Sequence, residues 1–255
     1  MAYIDDFTKL GLVLLCAVVS LLALWAAVDR RSSAALFIRS VWSGPGRHLV
    51  VAGLALGVFG VVVEDVVFRE HDEVIGRLDA RIRAAVMPLA PSLHRKAALV
   101  STITGEGLAL AVPAVAIGLL LARRRREALI VVLGTAAAWG LSGLLKIGFG
   151  VYRPRVDARS TFWTSFGFPS GHTFVMLVAG GLMVWALRHL MRRHVRLGLA
   201  AVVWIVAAGA GMARVILNAH WPSDVLGALA LGAACLSLLW AFTEWRWDPP
   251  TGTST

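Results

Sequence analysis

ALIVVLGTAAAWGLSGLLKIGFGVYRP, residues 128–154, contains the run on which the fold class turns. No charge occurs from Ala128 to Leu145. With flanking turns, such a run is long enough to cross the ~30 Å hydrocarbon core of a bilayer as a helix, which satisfies its own backbone amides. Outward from it, six more uncharged runs read the same way: Leu10 to Val28, Leu49 to Val63, Gly107 to Ala122, Thr173 to Leu187, Leu197 to Ala213 and Val225 to Thr243. About seven spans follow, the third and fourth close enough to form a helical hairpin. The second is expected to continue through Glu64 and Asp65 to Phe68, with the two carboxylates marking its exit from the hydrocarbon.

Composition agrees with this reading. Of 255 residues, 58% are hydrophobic and 16% charged, and the mean hydropathy is +0.75, far above that of a soluble domain. The net charge of +10 invites a nucleic acid partner, but the basic residues fill short gaps between apolar runs, so no nucleic acid is expected. Cys16 and Cys235 both lie in apolar runs and point to neither a disulfide nor a metal site. Asp5 and Asp6 precede a first run too long for a signal core, so that run is expected to stay as an anchor.

Arg123 to Arg126 fill one gap, and Arg188, Arg192, Arg193 and Arg196 another; the positive-inside bias puts both in the cytoplasm. Alternation then places Arg30, Arg31, Arg39 and Arg47 inside, the acidic N-terminus outside and the C-terminus inside. Gaps 69–106, 146–172 and 214–224 face outward. In the first of these, residues 70–98 mix charge with Val74, Ile75, Leu78, Ile82 and Val86, the pattern of an amphipathic helix on the outer surface. The expected fold is an all-α polytopic membrane bundle. Its parts are residues 1–48 as N-terminal span and cytoplasmic linker, 49–243 as core and 244–255 as cytoplasmic tail.

Three polar patches interrupt this pattern on the outer side. Lys146 closes the fourth run and is followed by Arg153-Pro154, two cations that oppose the positive-inside bias. Phe168-Pro169-Ser170-Gly171-His172 opens the fifth run, where Ser170 is expected to cap the helix and Gly171 to let an anion approach the free amides of its first turn. Arg214, His220 and Asp224 lie in one short connection, where Pro222 ends the preceding helix and Asp224 can fix the His220 tautomer. Because the chain crosses the membrane twice between the second patch and the third, all three return to one face. Cations, imidazoles, a carboxylate and a helix N-terminus gathered there suit metal-free phosphoryl transfer.

These residues resemble the type 2 phosphatidic acid phosphatase superfamily, whose members also include bacterial acid phosphatases and vanadium haloperoxidases. The resemblance rests on Lys146, six residues, then Arg153-Pro154; on Pro169-Ser170-Gly171-His172; and on Arg214, five residues, His220, three residues, Asp224. It covers roughly Leu49 to Phe242, and one position departs: Ala213 stands where the family usually has Ser. The lost hydroxyl costs a phosphate contact about 1 kcal/mol unless water replaces it. The resemblance implies a six-helix core, with the first run as an extra N-terminal span. It also implies that His220 is a nucleophile forming a phosphohistidine, that Asp224 orients it and that His172 is the acid on the leaving oxygen. Lys146, Arg153, Ser170, Gly171 and Arg214 would hold the phosphate.

Other readings of the same residues remain open. Ser170 as nucleophile with His220 and Asp224 behind it lacks the Gly-x-Ser-x-Gly elbow. An anion transporter would need its charges at mid-membrane rather than at segment ends. A lipid phosphotransferase would use the same site with an acceptor other than water. Glu64, Asp65, His71, Asp72 and Glu73 form an oxygen-rich cluster that reads as solvated loop charge, so neither metal nor cofactor is expected. The substrate expected is a lipid phosphate or pyrophosphate of the polyprenyl pyrophosphate, phosphatidic acid, phosphatidylglycerophosphate or lipid A type. Its headgroup would enter at the periplasmic face of a bacterial inner membrane while its tails stay in the bilayer.

Overall fold

The computed structural model describes residues 45–68, 74–88, 91–155 and 165–247; the expected first span, Leu10 to Val28, lies outside them, as do His71, Asp72 and Glu73. Among the described residues the fold is all-helical. We number the helices α1 (Gly46–Val63, continued by a π-helical turn, Glu64–Phe68), α2 (Val74–Val86), α3 (Pro91–Leu121), α4 (Arg125–Phe149), α5 (Gly171–Ala186), α6 (Arg193–Ile216) and α7 (Pro222–Trp247). Six of the seven apolar runs thus return as helices. Five stretches, Gly46–Phe68, Ser92–Leu121, Arg125–Phe149, Arg193–Ile216 and Pro222–Arg246, are long and apolar enough to cross a membrane, and α5 is a shorter apolar helix of 16 residues.

One element differs from the sequence expectation. The surface helix expected over residues 70–98 stops at Val86, and residues from Pro91 onward are already the first turns of α3. Pro88 cannot continue a helix, whereas Pro91 suits a first turn whose amides have no intrahelical partner. Asp65 also departs from the expected solvated loop charge. It is buried and accepts hydrogen bonds from the amides of Ile75 (3.2 Å) and Gly76 (3.3 Å), in the first turn of α2.

The described residues fall into two compact units, 45–61 with 233–247, and those within 62–232. In the first, Arg47 pairs with Glu244, His48 Nε2 lies 3.1 Å from the same carboxylate, and the His48 ring meets Trp240 edge-on at 5.5 Å. The second unit is organised around α5, which packs against α3, α4 and α6. Eleven of its residues are buried, among them Phe174, Leu177 and Trp185. Close approach of α5 to α6 depends on Gly180, where an added methyl would lie 2.7 Å from Val203 Cγ1.

Candidate active site

Each polar patch owes its position to the way a helix starts or stops. Lys146 lies in the last turn of α4, and Gly150 ends that helix in the left-handed region (φ 65°) with its amide on the Lys146 carbonyl. The chain then turns so that residues 151–153 run antiparallel to 165–167. Arg153 N donates to Ser165 O (3.0 Å) and Gly167 N to Val151 O (2.8 Å), around an isolated Tyr152–Phe166 bridge. The Arg153 guanidinium is held by its Nε donating to Phe166 O at 3.2 Å.

Ser170 occupies the N-cap position of α5 but makes no capping bond through its side chain, contrary to expectation. Its hydroxyl instead accepts from Thr173 Oγ1 (3.2 Å), and its amide donates to Asp224 O (3.0 Å), tying the start of α5 to the start of α7. At Gly171 a methyl would sit 3.2 Å from Ser142 Oγ and 3.3 Å from Lys146 Nζ, so the ammonium lies directly against the first turn of α5. His172 follows, partly exposed, and a methyl on Gly105 of α3 would stand 3.6 Å from its Nε2.

Arg214 lies in the last turn of α6, where its Nη1 donates to Ser101 Oγ of α3 at 3.3 Å and its buried Nε has no partner among the described residues. The turn to α7 closes through Asn218, also left-handed (φ 55°). His220 is 2% exposed and Asp224 fully buried. The His220 Nδ1–H donates to Asp224 Oδ2 at 2.9 Å, and the same oxygen accepts the Trp221 amide at 2.9 Å. Trp221 Nε1 in turn donates to Tyr152 O (3.2 Å), joining this turn to the segment that carries Arg153.

The electrostatics show the same gathering. Burial holds the His220 imidazole well below its usual proton affinity, and the positive charges of Arg153, Lys146 and Arg214 push it further down; a hydrogen bond with the Gly167 backbone opposes them. Burial also lowers Arg153, against the attraction of Asp224. His172 lies within the fields of Arg214, His220, Lys146 and Arg153. Lys146, Arg153, His172, Arg214, His220 and Asp224 therefore share one site, with Ser170 and Gly171 at its edge. His220 is fixed through Nδ1, and burial with the charges of three cations favours its neutral form, in which Nε2 carries the ring's lone pair.

Sequence reading missed Ser101 and Ser142, which touch Arg214 and lie beside Lys146. Both are polar residues in helical, largely apolar surroundings, and Ser142 stands one helical turn before Lys146, a cue the sequence does contain.

A sequence model of the PAP2 superfamily matches residues 127–248. The fold is similar to the crystal structure of a transmembrane PAP2-type phosphatidylglycerolphosphate phosphatase from Bacillus subtilis, with a TM-score of 0.67 and 20% identity over 77% of this chain and 97% of that one. No curated protein matches the chain.

Proposed function

We propose that this chain, whose residues 127–248 match the PAP2 superfamily, is an integral membrane lipid phosphatase working through a phosphohistidine on His220. The observation that carries this reading is the convergence of two imidazoles, three cations and a buried carboxylate at the ends of apolar helices. His220 Nε2 attacks phosphorus in line, forming an N–P bond as the bond to the lipid oxygen breaks. His172 gives its proton to that oxygen, holding the proton in the complex because the phosphoryl charge lies beside it. Lys146, Arg153 and Arg214, with the first-turn amides of α5, balance the charge that develops on the equatorial oxygens. Water then attacks phosphorus and gives its proton to His172; the N–P bond breaks, phosphate leaves and both imidazoles return to their starting states.

A lipid leaving group is supported by a cavity of about 230 Å³ reached from His172 and lined by Gly105, Leu108, Val112, Trp139 and Val175. Its wall is apolar apart from a few side chains, as a hydrocarbon chain requires. The cations beyond the positive-inside pattern favour a site on the outer face.

The deciding experiment is phosphate release by the purified protein from phosphatidylglycerolphosphate, phosphatidic acid, a polyprenyl pyrophosphate and a lipid A phosphate, with and without EDTA. Expected are turnover that survives EDTA and acid-labile radiolabel trapped on histidine. Release by His220→Ala equal to wild type, or label trapped on Ser170, overturns the reading.

A further inference from the structure

We propose that α2 forms the back wall of the nucleophile's turn, with Asp79 and Arg83 as positioning residues that set the aim of His220; this rests on His220 being the phosphoryl acceptor. The turn between α6 and α7 is short, and α2 grips it near both ends. On one side, Arg83 Nε donates to Asn218 Oδ1 at 2.8 Å, fixing the residue whose left-handed backbone makes the turn possible. The Arg83 guanidinium also lies over the Trp221 ring, 5.4 Å from its centre. On the other side, Asp79 takes two bonds from Ser223, from the amide at 2.9 Å and from the hydroxyl at 2.5 Å.

Asp79 and Arg83 are four residues apart, one helical turn, so one face of α2 presents both. Their partners lie two residues before His220 and three after it. α2 is itself anchored, because Asp65 holds the amides of its first turn. A chain of bonds thus runs from Asp65 through α2 to Ser223, then to its neighbour Asp224 and to His220 Nδ1.

The choice of a carboxylate points to positioning rather than packing. Asp79 is 1% exposed, and a buried carboxylate is costly unless its oxygens are bonded. An apolar residue would fill the space at lower cost but would release Ser223. Asp224 would then be free to swing with the start of α7, and in-line attack tolerates little misplacement of the attacking nitrogen.

The test uses the full chain in detergent, a lipid phosphate that the wild type turns over, and a second readout that needs no turnover: the rate at which diethyl pyrocarbonate modifies His220, followed by mass spectrometry. Asp79→Ala is expected to lower kcat roughly 30- to 100-fold with KM within about threefold, since aim rather than binding is lost. Asp79→Asn, which keeps an acceptor for the Ser223 amide, is expected to recover to within about fivefold of wild type. His220 modification should be faster in Asp79→Ala than in wild type. Wild-type kcat and modification rate in folded Asp79→Ala overturn the proposal, and so do equal losses in the Ala and Asn variants. If Asp79→Ala does not fold, Ser223→Ala and Arg83→Lys take its place, and wild-type kcat and modification rate in both overturn it. If the wild type releases no phosphate from any substrate, the phosphatase reading fails, and the modification rates alone decide the role of α2.

Discussion

His220 and His172 enter the site from two regions that differ in how closely the chain surrounds them. His220 is 2% exposed, bonded through Nδ1 to a fully buried carboxylate, and carried on a turn tied to α2, α5 and the Arg153 segment. His172 stands partly exposed in the first turn of α5 and looks across to Gly105 and an apolar cavity. A nucleophile must meet phosphorus along one line, whatever the lipid. An acid on the leaving oxygen must follow a group whose shape varies with the substrate. In the proposed mechanism the rigid half of the site therefore sets the chemistry, and the open half sets which leaving groups are served.

The largest expected effect belongs to the rigid half. His220→Ala should lower phosphate release by about 10⁴-fold or more, and by a similar factor for every substrate, because in the proposed mechanism no other group accepts the phosphoryl. Steady-state release from a lipid phosphate and from p-nitrophenyl phosphate measures it, and a loss confined to the lipid would break the comparison. The His172 variant should behave differently. His172→Asn should lower kcat/KM, which reports the step that forms the phosphohistidine, about 10²- to 10³-fold on a lipid alcohol but less than about tenfold on p-nitrophenyl phosphate, whose leaving group needs no proton; kcat should fall on both, because hydrolysis of the intermediate also uses His172. Equal losses in kcat/KM on both would show that His172 does not serve the leaving oxygen.

A smaller effect concerns pH. Burial and the charges of Arg153, Lys146 and Arg214 make His220 harder to protonate than an ordinary imidazole, so it stays neutral below its usual 6.5. The acid limb of kcat/KM should accordingly lie below pH 6.5. Arg153→Gln removes the strongest of the three charges, so protonation becomes easier and the limb should move to higher pH even as the rate falls. A limb that stays in place or moves down would count against His220 as the titrating group.

The two halves were not equally legible in the sequence. The runs are readable because charge is excluded from hydrocarbon, and the three polar patches because each interrupts such a run at its end. Lys146, Arg153, Arg214 and Asp224 stand out for that reason. The supports of the nucleophile do not: Asp79 meets Ser223 across 144 positions and Asp65 meets α2 across 10, and in sequence both look like loop or surface charge. The central place of α5 is equally hidden, since an apolar side chain reads alike whether it faces lipid or protein. Only features such as Gly180 and Gly134, where a methyl would lie 2.7 Å from Val203 and from Leu182, betray close helix contact, and they do so only once the neighbours are known. The boundary near Pro91 is hard to read because the mixed apolar pattern of 74–86 runs on past Pro88, which cannot continue that helix, and Pro91, which opens the next one.

The smallest expected effect tests the open half alone. A methyl at Gly105 would stand 3.6 Å from His172 Nε2, an ordinary contact, so Gly105→Ala should leave p-nitrophenyl phosphate turnover within about twofold of wild type. A larger side chain reaches into the cavity beyond. Gly105→Leu should raise KM for a long-chain lipid phosphate roughly three- to tenfold, while p-nitrophenyl phosphate, which needs no room for a tail, changes by less than about twofold. The helix should accept the change, because leucine is a better helix former than glycine. Parallel KM values across a series of lipid chain lengths give the measurement. A loss that is the same for short and long chains would mean that the tail leaves His172 by another route and that the cavity plays no part in substrate choice.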